Sequence, residues 1–182
     1  MPMTIDEQKK QIRKKIKELK KRISREEMIR KSDWIFQAVE QDPDFIRART
    51  VLAYWSMPDE VITHSFVERW YGKKKILLPV IVGDNLVLKE FEGKERMQAE
   101  PRFNILEPQG PVFEDWQQID YIIVPGVAFD KNNNRMGRGK AFYDKLLRNV
   151  PAKKVGVCFD FQYLDAVPVD RYDIPMDAVY WA

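Results

Sequence analysis

A chain of 182 residues with 45% apolar and 32% charged side chains fits one α/β domain with a buried core and a soluble surface. It contains no run of about 18 apolar residues, which excludes a membrane-spanning helix, and its N-terminus is polar where a secretory leader would turn apolar. The one cysteine, Cys158, excludes an internal disulfide and points to the cytoplasm; within Val155 to Phe159 it reads as a small core residue. A monomer is expected at this size.

The net charge of +3 is unevenly spread. Residues 1–31 carry 12 Lys or Arg against 5 Asp or Glu, and the remainder carries 19 against 23. Such a basic segment is a solvated helix face or an anion-binding face. Nucleic acid is not the expected partner, because the rest of the chain is net acidic and has no nucleic-acid motif.

In chain order, Thr4-Ile5-Asp6-Glu7 is a capping box. Ile12, Ile16, Leu19 and Ile23 follow as one narrow apolar stripe on a basic helix. Ser24 with Glu27 opens a second helix, about Arg25 to Glu40, which Asp42-Pro43 closes. Thr50 to Trp55 is β-rich, and Met57-Pro58-Asp59-Glu60 breaks it. Val61 to Tyr71 has helical spacing with Gly72 as its stop, which puts His64 on an exposed helix. Lys75 to Val80 reads as a buried strand, and Leu86 to Leu88 as a short extended run. Residues 92–118 are polar and irregular. Tyr121 to Val124 is an apolar strand. A polar loop, Asp130 to Gly139, leads into a helix near Ala141 to Arg148. Lys154 to Phe159 is a further strand, and the tail from Asp165 is loop-like with a short extension, Ala178 to Trp181.

Helices alternating with continuous apolar strands predict a single three-layer α/β/α domain over residues 1–182, with a mostly parallel sheet and the helices of residues 1–40 packed on its core. Ligands of such folds bind beyond the carboxyl ends of the strands. Here that means the loops after Trp55 and Val124.

The second loop carries the densest chemistry. Gly137 and Gly139 let backbone approach a ligand, Arg135, Arg138 and Lys140 surround them with positive charge, and the opening turn of a helix offers free N–H groups to an anion. Ala141 stands where a Walker A loop needs Ser or Thr, and Phe142 stands where a dinucleotide fingerprint needs Gly. The residues alone read as a generic phosphate-binding loop or a solvated charged turn. Asp144 and Asp173 are carboxylates of the kind that hold Mg²⁺ beside a polyphosphate, though spacing alone does not bring them together.

The run Pro125-Gly126-Val127-Ala128-Phe129-Asp130, continued by Arg135-Met136-Gly137-Arg138-Gly139-Lys140 and Tyr143-Asp144, closely resembles the signature of 5-formyltetrahydrofolate cyclo-ligases. Lys9-Lys10-Gln11-Ile12-Arg13, Ser56-Met57-Pro58-Asp59-Glu60, and Val167-Pro168-Val169 with Asp173 and Asp177-Ala178-Val179 resemble further pieces of that family in the same order. The resemblance implies ATP- and Mg²⁺-dependent cyclisation of 5-formyltetrahydrofolate to 5,10-methenyltetrahydrofolate, with reduced folate and ATP as the small-molecule partners. It implies that Lys9, Arg13, Arg135, Gly137, Arg138, Gly139, Lys140 and Tyr143 bind the nucleotide, with Arg138 and Lys140 also catalytic. By the same likeness Trp55, Met57, Glu60, Arg138 and Phe142 hold the folate, and Asp144 and Asp173 hold the metal. Two positions depart from the pattern: the family usually has glycine at Ala141 and tyrosine at Phe142.

Overall fold

The computed structural model describes all 182 residues. Helices α1 (Ile5–Lys20) and α2 (Arg25–Glu40) start at the predicted caps. Thr4 and Glu7 exchange side-chain and backbone hydrogen bonds, and the Ser24 hydroxyl accepts from the Glu27 amide. Ile35, Phe36 and Val39 of α2 are buried, each worth about 1.5–3 kcal/mol, and they anchor that helix. Helix α1 buries only Ile16, so its charged contacts, described below, matter more to its placement. Then come α3 (Pro43–Arg47), β1 (Thr50–Leu52), α4 (His64–Trp70), β2 (Lys75–Val82) and β3 (Asn85–Glu90). These are followed by β4 (Met97–Ala99), β5 (Leu106–Pro108), β6 (Tyr121–Val124), β7 (Ala128–Asp130) and β8 (Arg135–Met136). Last are α5 (Phe142–Asn149), β9 (Lys153–Cys158), β10 (Tyr163–Leu164) and β11 (Ala178–Trp181).

The central sheet runs β11-β9-β6-β1-β2-β3, and only the β2–β3 pair is antiparallel. Strand residues alternate between two cores. Val51, Ile76, Ile123 and Val155 face Phe36, Phe45 and Phe66 from α2, α3 and α4. Leu52, Leu77, Ile122 and Val124 face Leu146 and Leu147 of α5. Side chains two residues apart share a face, so the period of the strands yields the three layers. No helix is long and apolar enough to cross a membrane.

Several elements differ from the sequence reading. The short extension expected at Ala178 to Trp181 is present as β11, and what spacing did not give is its place at the sheet edge beside β9. The polar loop after Asp130 is a hairpin, β7 with β8, and residues 92–118 include the β4–β5 hairpin. Helix α4 begins at His64 and not at Val61, because Thr63 is drawn into the preceding turn by hydrogen bonds with Tyr54 and Ser56. Periodicity could not show these long-range bonds.

The hairpin is seated on the sheet by missing side chains. Phe129 of β7 is fully buried, and a Cβ on Gly156 of β9 would overlap its ring, while one on Gly126 would come within 2.7 Å of it. Gly156→Ala is therefore expected to cost about 1–3 kcal/mol of stability through overpacking. A urea melt would show it as a lower midpoint at unchanged slope.

At the amino ends of β6 and β9, Asp42 accepts from the hydroxyl of Tyr121 at 2.9 Å and pairs with Lys153 at 2.9 Å, and it also accepts from the hydroxyl of Tyr180 of β11 at 3.3 Å. This network ties α3 to β6, β9 and β11, and leaves the carboxyl ends as the open face.

Candidate active site

Three segments meet at that open face. The turn after β1 is locked by reciprocal bonds: the Ser56 amide donates to Thr63 Oγ1 and the Thr63 amide to Ser56 Oγ, both at 3.0 Å. Within it, Glu60 Oε1 accepts from the Met57 amide at 2.8 Å. The Glu60 side chain is 13% exposed, and burial raises its pKa against the pull of the Met57 amide and Arg138. Trp55 lies at the start of the turn with one face covered by His64, ring centroids 3.9 Å apart. His64 is thus half-buried, with Nε2 3.0 Å from the Ser56 carbonyl, and is not the solvated helix residue that spacing predicts.

The second segment is the hairpin and the loop into α5. Asp130, at its corner, is buried and accepts from the amides of Asn132, Asn134 and Val167 and from the Asn134 side chain. Arg135 donates from Nε to the Pro125 carbonyl at 2.8 Å, lies over the Tyr143 ring at 5.2 Å, and reaches Asp144 at 3.9 Å. Burial lowers the pKa of Arg135, yet arginine starts so high that the charge persists. Burial, with Glu60 nearby, pushes the Tyr143 hydroxyl up. Asp144 and Asp173 both lie close enough to act on the Arg135 charge.

The third segment is α1. Arg13 donates from Nε to the Gly137 carbonyl at 3.0 Å. A Cβ at Gly137 would meet the Arg135 guanidinium at 3.0 Å, and one at Gly139 would meet that of Arg13 at 3.4 Å. The glycine loop therefore runs between two guanidinium groups. Lys9 pairs with Asp173 at 3.1 Å and Asp170 at 3.4 Å, and Lys20 pairs with Asp59 at 3.2 Å.

The structure thus brings Lys9, Arg13, Arg135, Gly137, Gly139, Tyr143, Asp144 and Asp173 around one loop. Arg138 leaves that loop to pair with Asp59 at 3.2 Å and Glu60 at 3.9 Å. Lys140 is exposed and makes no ion pair, and Phe142 and Met57 are partly buried. A narrow cleft of about 10 Å³ lined by Lys20, Tyr54, Glu60, Gly126 and Gln162 lies between the segments. Small-molecule sites usually span about 300–1,000 Å³, so this cleft as it stands is too small to hold a ligand of that size. A wider cleft of about 200 Å³, lined by Glu90, Glu92, Arg96 and Gly110 among others, shares none of these residues.

The model of the 5-formyltetrahydrofolate cyclo-ligase family matches residues 5–182. The chain belongs to that family. It is 32% identical over 146 residues to the 5-formyltetrahydrofolate cyclo-ligase of Escherichia coli, covering 75% of this chain and 80% of that protein. It is 27% identical to the mouse cyclo-ligase, covering 98% and 96%. Among solved structures it resembles Aquifex aeolicus 5,10-methenyltetrahydrofolate synthetase with a TM-score of 0.84 at 32% identity, covering 95% of this chain and 89% of the other.

For a cyclo-ligase, the structure makes the departure at Ala141 concrete. Ala141 caps α5 with φ 54 and ψ 17, a left-handed conformation, which costs a residue with a Cβ about 1–2 kcal/mol. The resemblance places glycine here. Ala141→Gly is expected to stabilise the cyclo-ligase by up to about 1 kcal/mol after the added freedom of the unfolded chain is offset, visible as a higher melting temperature.

Sequence reasoning missed Lys20, Asp59 and Asp170. For Lys20 a signal was present: Lys9, Arg13, Ile16 and Lys20 are spaced four, three and four apart and so share one helix face. Asp59 falls inside the 56–60 run that resembles the family but had no separate signal, and Asp170 had none, because exposed turn aspartates are common.

Proposed function

We propose that this cyclo-ligase converts 5-formyltetrahydrofolate to 5,10-methenyltetrahydrofolate in an ATP- and Mg²⁺-dependent reaction, as a cytoplasmic monomer. The observation that carries the ATP requirement is the Gly137–Gly139 loop held between Arg13 and Arg135 at the start of α5, a polyanion cradle joined through Arg138 to the Glu60 turn. A formyl oxygen is a poor leaving group. Transfer of the γ-phosphoryl group to it releases ADP and activates the formyl carbon. N10 of the same substrate then attacks that carbon, a C–N bond forms, the C–O bond breaks, phosphate departs, and the N10 proton goes to solvent.

Such chemistry asks the protein for positioning and for positive charge around the migrating group. In this reading Lys9, Arg13, Arg135, Gly137, Gly139, Lys140 and Tyr143 hold the nucleotide, while Arg138 and Lys140 stabilise the transferring phosphoryl. Trp55, Met57, Glu60, Arg138 and Phe142 receive the folate, Glu60 facing its N–H donors. Asp144, 3.9 Å from Arg135, and Asp173, 3.1 Å from Lys9, suit a Mg²⁺ ion that takes one or two carboxylates and completes its shell with phosphate oxygens and water. The ion's chemistry would be charge neutralisation on the phosphoryl oxygens.

The test is an absorbance assay for the methenyltetrahydrofolate chromophore with 5-formyltetrahydrofolate, ATP and Mg²⁺, each omitted in turn. Product that requires all three is expected. Product formed without ATP, or none from folded protein, would overturn the reading.

A further inference from the structure

We propose that Asp59 is a positioning residue that couples the two substrate sites, holding Arg138 and Lys20 so that a folate seated on the 56–60 turn tightens ATP binding, and ATP tightens folate binding. The inference rests on the proposed ATP-dependent function and goes beyond it, because the resemblance gives Asp59 no role.

The two oxygens of Asp59 serve different partners. Oδ1 pairs with Arg138 Nη2 from the glycine loop, and Oδ2 with Lys20 Nζ from the last turn of α1, each at 3.2 Å. One carboxylate therefore joins the turn after β1, the loop before α5 and the basic helix. Glu60 is a weaker link, since it stands 3.9 Å from Arg138 and one of its oxygens already accepts from the Met57 amide.

The pairing leaves both cations able to bind phosphate. A guanidinium has five N–H donors and an ammonium three, and Asp59 occupies one of each. Asp59 thus aims these groups without using up their capacity. Stability alone does not explain the link to Arg138: both partners are about half exposed, and exposed pairs add little, whereas Lys20 is 11% exposed and its pair also helps to seat α1. Burial works against its charge, but Lys20 and Arg138 outweigh it and lower its pKa, so it is ionised at neutral pH.

A ligand seated against the 56–60 turn restricts the half-exposed side chain of Asp59, and with it Arg138 and Lys20. A triphosphate arriving next orders fewer groups and binds more tightly. Linkage requires the same factor in the reverse direction.

The experiment is calorimetric titration of the full chain with a non-hydrolysable ATP analogue and Mg²⁺, with and without saturating 5-formyltetrahydrofolate, in the wild type, Asp59→Asn and Asp59→Glu. The expected wild-type coupling is on the order of five- to tenfold. It should fall to near one in Asp59→Asn at an unchanged melting temperature, and recover in part in Asp59→Glu. Equal coupling factors in wild type and Asp59→Asn would overturn the proposal and leave the function standing. Equal losses in both affinities with a lowered melting temperature would reduce Asp59 to a structural role and overturn it too. A chain that binds neither ligand would overturn both this inference and the proposed function.

Discussion

Arg135→Ala is expected to lower kcat/KM for ATP by about a hundred- to a thousandfold, the usual effect of removing a preorganised charge-stabilising donor. Three features set this expectation. The Arg135 side chain is only 10% exposed, so its charge acts in a medium that screens poorly. It is held in place by the Pro125 carbonyl and the Tyr143 ring. It also underlies Gly137, where even a Cβ would come within 3.0 Å of it. Alanine would leave the Pro125 carbonyl without this donor as well as removing charge, so loss of folding must be separated from loss of function. Arg135→Lys does this. It keeps the charge and loses the planar fork, and an intermediate rate with a near-normal melting curve is expected. Initial rates beside circular-dichroism melts check both variants. Wild-type kcat/KM in each would remove the glycine loop from the reaction.

Asp130→Asn is expected to destabilise the fold by about 3 kcal/mol, because it leaves buried donors facing a donor. The carboxylate accepts four hydrogen bonds between 2.9 and 3.1 Å. An amide can satisfy those on one oxygen, but its NH₂ would confront the other pair. Burial opposes the charge on Asp130, yet the Val167 amide and the Asn134 and Asn132 donors outweigh it and hold its pKa below the ordinary 3.8. The sign follows from linkage. A carboxyl with a depressed folded pKa contributes stability above its unfolded value, and that stability is lost as pH falls from about 4 through the folded pKa. Denaturant midpoints measured from pH 7 downward should therefore converge for wild type and variant below pH 4. A gap that stays constant through that range would show that ionisation is not the source of the effect.

Asp130 also shows where local reading stops. In the sequence it begins a polar loop; in the fold it closes the hairpin and bonds Val167, a residue 37 positions later. The same limit applies to Thr63, whose bonds to Ser56 and Tyr54 delay the start of α4. It applies to His64, which stacks on Trp55 where helical spacing would place it in solvent.

What the sequence determined by itself was whatever depends on neighbours along the chain. The caps at Thr4 and Ser24, the apolar strands that alternate between two cores, and the clustering of Arg135, Gly137, Arg138, Gly139 and Lys140 are all short-range patterns set by helix and strand periods. The tertiary structure alone decided which charges face one another. It laid α1 across the carboxyl ends of the strands, brought Lys9 to Asp173 and Arg13 to Gly137, and closed Asp59 onto both Lys20 and Arg138. These contacts join residues far apart in the chain, and exposed charges carry no periodic signature by which one could be matched to its partner.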